Sequence, residues 1–62
     1  MKSDRDRRLY TAYLRARDAA EQALSAYALR ADAVATQFHS DRAEQYMKEA
    51  LYEITKSRYS RP

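Results

Sequence analysis

One histidine, no cysteine, six tyrosines and nine arginines are the side chains of this 62-residue chain with the most chemistry to offer. A lone His39 without a cysteine or a glycine-rich phosphate loop leaves no nucleophile-and-base pair at a recognisable spacing, so the expectation is a protein that is not an enzyme. His39 and Asp41 are two residues apart and fall short of the usual metal ligand count, which makes them loop residues on this reading and predicts no cofactor. The arginines and tyrosines therefore carry the functional reading. Both types favour macromolecular interfaces.

Charge is segregated along the chain. Residues 1–17 hold six basic and two acidic side chains, residues 18–53 three basic and seven acidic, and residues 54–62 three basic and none acidic. A hairpin would bring Lys56, Arg58 and Arg61 back towards Arg5, Arg7, Arg8, Arg15 and Arg17, giving one positive end that can steer onto a partner of opposite pattern. Ordinary solvated faces are the competing explanation, and an i, i+4 pair such as Glu44 and Lys48 suits it.

The elements that hold these residues are helical. Glycine is absent and the one proline is Pro62, so nothing supplies the tight turns of β-hairpins, while twelve alanines favour helix. Leu9, Tyr13, Ala16, Ala20, Leu24, Tyr27, Ala31, Val34 and Phe38 recur at steps of three and four and form one long stripe. Ser3 and Asp6 resemble a capping box, which starts helix one near Asp4. The stripe carries it to about residue 37, roughly 50 Å at 1.5 Å per residue, with a break near Ser25 left open.

The segment Phe38-His39-Ser40-Asp41 then reads as the linker, with Asp41 and Glu44 capping a second helix over about residues 41–58. Ala43, Tyr46, Met47, Ala50, Leu51 and Ile54 form its inner face, and residues 59–62 are expected to fray. The fold class is all-α: one domain over residues 1–62, a two-helix antiparallel hairpin with a long first arm and a shorter second.

Unequal arms have a functional corollary. Pairing outward from the linker sets Ala43 near Val34, Ile54 near Leu24 and Arg58 near Ala20, which leaves Leu9, Tyr13 and Ala16 uncovered. An uncovered apolar stripe marks an interface, filled either by a second hairpin in a homodimer or by the groove of another protein. A first helix that frays before Ala16 is the plain alternative. Tyr13, Tyr27 and Tyr46 fall on the expected core faces and read as structural; Tyr10, Tyr52 and Tyr59 lie off them and read as partner contacts. Leu14 and Leu29 also fall outside the stripe. The expected partner surface is thus Arg5, Arg8, Leu9, Tyr10, Tyr13, Arg15, Ala16, Arg17, Tyr52, Lys56, Arg58 and Tyr59.

A pI near 9.4 makes nucleic acid the second expected partner. Against it stand a net charge of only +3, acids along both helices and no DNA-reading motif. No apolar run approaches a membrane span, no leader follows Met1, and the Ala- and Tyr-rich stripe lacks the bulky residues that insert into lipid, so a soluble cytoplasmic protein is expected. In its compact Arg- and Ala-rich character and split charge, the chain resembles the small early proteins with which bacteriophages bind and redirect host factors. Some of these target nucleoid-associated proteins of the H-NS family. The resemblance implies a non-enzymatic protein-binding regulator, a modulator or inhibitor of a host DNA-binding protein, with a basic nucleic-acid binder or a helical dimerisation module as alternatives.

Overall fold

A computed structural model describes residues 3–61 as two helices, α1 (Asp4–Ala28) and α2 (Ala33–Ser57), packed side by side as an antiparallel hairpin. The all-α hairpin expected from composition and periodicity is what forms. Ser3 caps α1 as its sequence spacing predicts, its Oγ accepting from the Asp6 amide at 3.1 Å. Met1, Lys2 and Pro62 lie outside the described residues.

The lengths of the arms correct the expectation. Each helix has 25 residues, and the turn falls at Leu29-Arg30-Ala31-Asp32, not at residues 38–41. Asp32 is the cap of α2: its Oδ1 accepts from the amides of Val34 (3.0 Å) and Ala35 (3.1 Å). The Thr36 hydroxyl closes the turn by bonding the carbonyls of Leu29 (2.9 Å) and Asp32 (2.8 Å). At the end of α1 the Arg30 guanidinium donates to the Tyr27 carbonyl at 3.0 Å, placing positive charge where the helix dipole is negative. Among the described residues no backbone φ is positive, so this turn needs no glycine. Asp41, expected as a cap, lies inside α2 and accepts a hydrogen bond from Gln37 at 2.7 Å.

Register follows from the turn. Arg8 meets Glu53 and Gln22 meets His39 across the hairpin, so Ile54 lies beside the start of α1 and not beside Leu24. The second helix therefore covers the whole first arm, and no overhang exists. Residues 59–61, where fraying is expected, continue in turn hydrogen bonds, and the Arg61 carbonyl accepts from the Arg5 amide at 3.4 Å.

The inner seam is the second correction. Ala12, Ala19 and Ala26 recur every seven residues along the α1 side of the seam, and Ala50 and Ser57, also seven apart, lie on the α2 side; all five are buried. A seven-residue repeat keeps one helix face on its neighbour, and side chains this small let the backbones approach closely. The Ser57 hydroxyl is satisfied within its own helix by the Ile54 carbonyl at 2.6 Å. Among the described residues no side chain larger than serine is buried, so the large apolar residues of the expected inner stripe are elsewhere.

Candidate functional site

Six of those large residues lie on one open face, whereas Val34, Phe38 and Tyr46 fall off it, on the outer and opposite sides of α2. At 100° per residue, Leu9, Tyr13, Ala16, Ala20, Leu24 and Tyr27 sit roughly 60–140° to one side of the Ala12–Ala19–Ala26 line. Met47 and Leu51 sit roughly 60–100° from Ala50 in the same rotational sense, which in an antiparallel partner is the same side of the hairpin. Leu9, Tyr13, Leu24, Tyr27, Met47 and Leu51 are each 42–66% exposed. Ala16 and Ile54, both half-buried, line the bottom of this face beside the seam.

The opposite side of the seam carries the ion pairs between the helices, with Leu29 and Phe38 exposed towards the turn end. Arg8 Nη1 reaches Glu53 Oε1 at 3.0 Å, Arg15 Nε reaches Glu49 Oε1 at 3.2 Å, and Arg15 Nη1 also reaches Asp18 at 3.3 Å. The hydrogen bond that Arg8 donates to Glu53 is the largest influence on its guanidinium and raises its pKa above the ordinary value, against an opposing contribution from desolvation. His39 Nδ1 stands 2.6 Å from Gln22 Oε1, and because an amide oxygen only accepts, this nitrogen carries the proton. A shallow depression on this side is lined by Thr11, Arg15, Glu49, Tyr52 and Glu53. Its charges hold the two helices in register. Among the described residues no group of three His, Cys, Asp or Glu side chains gathers to hold a metal, and no helix is long and apolar enough to cross a membrane.

The twelve residues expected at a partner surface therefore divide. Leu9, Tyr13 and Ala16 come together on the apolar face, where Leu9 and Tyr13 are open because they point outward and not because α2 is short, and Ala16 is half-buried at its edge. Tyr10 flanks them, its ring 6.0 Å from that of Tyr13. Arg8 and Arg15 bridge the helices on the other side. Arg5 lies 3.7 Å from Asp6, and Arg17 lies 4.0 Å from Glu21. Tyr52 is exposed on α2, with the Lys56 ammonium 5.5 Å from its ring, and Arg58 and Tyr59 are exposed just beyond the end of that helix.

Tyr13 and Tyr27, expected in the core, are exposed, and Arg30 lies 4.4 Å over the Tyr27 ring. Tyr46 is half-buried, its hydroxyl accepting from Arg42 at 2.8 Å. Leu24, Tyr27, Met47 and Leu51 belong to the open face although periodicity alone assigned them inward. The signal that would have found them is the pair of seven-residue small-residue repeats, which fixes the seam and hence what lies beside it. No protein-family model, no curated protein and no solved structure matches the chain.

Proposed function

We propose that this chain is a non-enzymatic, protein-binding regulator that works by docking its apolar face on another protein surface. A helix pair is normally one layer of a domain whose second layer covers its apolar side. Among the described residues the two helices form a single layer. The molecule exposes 4916 Å², against roughly 4,200 Å² for a compact chain of its mass. Its radius of gyration is 14.2 Å, against roughly 11 Å for a compact domain of this length. The observation that carries the reading is the face itself, six large apolar side chains on one side of a hairpin whose other side carries the ion pairs between the helices.

The regulatory target implied by the likeness to phage early proteins is a nucleoid-associated DNA-binding protein. The separated charges of the hairpin suit such a target, with Arg5, Arg17, Arg58 and the exposed Tyr52 and Tyr59 as contacts outside the apolar face. A photo-crosslinking residue placed at Tyr27 and, separately, at Tyr52 tests the docking reading in cells that express the full chain. Tyr27 is expected to give a discrete protein adduct at least about tenfold more abundant than the Tyr52 variant, the ratio that 1.4 kcal/mol of preference produces. No protein adduct from Tyr27 would overturn it.

Direct nucleic-acid binding is the weaker reading because Arg8 and Arg15 are committed to Glu53 and Glu49, carboxylates that would also repel phosphate. Fluorescent duplex DNA titrated at 50 and 200 mM salt checks it. The expected result is no binding tighter than the non-specific range of about 10⁻⁴–10⁻⁶ M. Sub-micromolar affinity that collapses with salt would reverse the ranking.

A further inference from the structure

We infer that the apolar face is filled by a second copy of this chain, stacked face to face and head to tail to complete an antiparallel four-helix bundle. The inference rests on the docking reading above and names a second copy as the occupant of the face, which leaves contact with a regulatory target to Arg5, Arg17, Arg58, Tyr52 and Tyr59 outside it. Three observations select a second copy.

The first is size. With roughly 200 Å² for a wholly exposed side chain of this class, the six large residues leave on the order of 650 Å² open. The alanines and the rim of the face bring this towards the ~800 Å² per partner of a stable interface. A self-complementary face of that extent suffices without help from any other surface.

The second is shape. The two helices have the same length, 25 residues each, so a copy turned end for end matches the face along its full extent. A two-fold axis crossing the middle of the face sets α1 against α1 of the copy, antiparallel. The midpoint of Asp4–Ala28 is Ala16, so residues equally far from Ala16 on either side meet. Tyr13 then lies level with the small Ala19 and Ala20 of the copy, and Leu9 lies level with its Ala23 and Leu24. A large side chain over a small one is how helix layers interdigitate.

The third is charge. The half next to the chain ends, residues 3–17 and 48–61, holds nine basic and four acidic side chains; the half next to the turn, residues 18–47, holds two basic and five acidic. Head-to-tail stacking puts the positive half of each copy over the negative half of the other. The alternative two-fold stack, with both turns at one end, would set positive on positive and α1 over α2 of the copy. Electrostatics therefore fixes the direction.

The chain has no cysteine, so a single introduced one reads the geometry cleanly. Light scattering on the full chain between 5 and 500 μM, at orders of magnitude typical for such measurements, about a hundredfold range around a micromolar-class affinity, is expected to give twice the 7.3 kDa chain mass. Leu24→Glu, at a position facing solvent in the single hairpin, is expected to return the monomer mass with helical circular dichroism kept; Met47→Lys provides a second such variant. Ala16→Cys, next to the two-fold axis, is expected to form an intermolecular disulfide under mild oxidation, whereas Leu9→Cys, far from its own copy, is not.

A monomer throughout the range overturns self-pairing while leaving the docking reading standing if Tyr27 still crosslinks to a different protein. A dimer indifferent to both Leu24→Glu and Met47→Lys overturns the assignment to this face. A face-dependent dimer in which Ala16→Cys does not crosslink overturns the head-to-tail arrangement. Failure of the docking reading itself looks different, since then Tyr27 yields neither a self-adduct nor any other.

Discussion

Ala19→Leu and Ala50→Leu are each expected to lower the thermal midpoint by about 5–20 °C, from an overpacking cost of about 1–3 kcal/mol and the 4–8 °C per kcal/mol typical of small domains. Ala19 is 2% and Ala50 1% exposed, so neither methyl has room to grow without moving the helices apart. Separation would also lengthen the Arg8–Glu53 and Arg15–Glu49 bridges, which span the seam. Ala28→Leu, on the exposed outer side of α1, serves as the comparison and is expected to change the midpoint by no more than about 0.5 kcal/mol equivalent. Thermal melts followed by circular dichroism at one fixed protein concentration check all three, because association would otherwise shift the midpoint with concentration. Equal midpoints for the seam variants and Ala28→Leu would mean that the helices are not in close contact there.

Asp32→Ala is expected to cost about 1 kcal/mol, within the 0.5–2 kcal/mol usual for losing an N-cap. Two amides of α2, those of Val34 and Ala35, lose their acceptor together. Asp41→Ala removes only an exposed contact with Gln37 and is expected to stay within about 0.5 kcal/mol. Urea unfolding of the two variants separates the two placements of the turn. A larger loss at Asp41 than at Asp32 would restore the long first helix.

These paired residues also show where the sequence was readable. Ser3 with Asp6 marked the start of α1 because a capping side chain three residues before an acid has few other uses. The exclusion of strands followed from the absence of glycine and internal proline, and the second helix ends at Ser57, close to where its pattern stops. The turn was hidden for a physical reason. Leu29-Arg30-Ala31-Asp32 reverses the chain using ordinary negative φ values, so it carries no glycine or proline, and Asp32 is followed by Ala35 where a capping box would put Glu or Gln. The apolar spacing happens to run on through it, from Tyr27 to Ala31, Val34 and Phe38.

The site was half visible for a related reason. Large apolar residues were assigned to the inside, as burial of apolar area normally requires. In this hairpin the inside belongs to alanine, whose repeats at residues 12, 19 and 26 read as helix propensity and not as packing. Leu9 and Tyr13, expected to be uncovered because α2 would stop short of them, are exposed because they point away from the seam, and Ala16 is half-buried. Leu24, Tyr27, Met47 and Leu51 complete the same face once the alanine seam is known. Arg8 and Arg15 could not be separated from the other arginines by sequence, since their partners Glu53 and Glu49 are set by the register of the turn.

The hydrogen bond between the Arg5 amide and the Arg61 carbonyl places residues 5 and 61 side by side at one end of a 46 Å rod, with the turn at the far end. Tension applied at that end would not shear the helices along each other. It would unzip them, loading the Arg5–Arg61 bond first, then Arg8–Glu53, then Arg15–Glu49, then Gln22–His39, so that each contact bears the load alone and the hairpin yields to a weak pull. A stacked second copy, bridging the rod from end to end, would turn that sequential opening into a collective one.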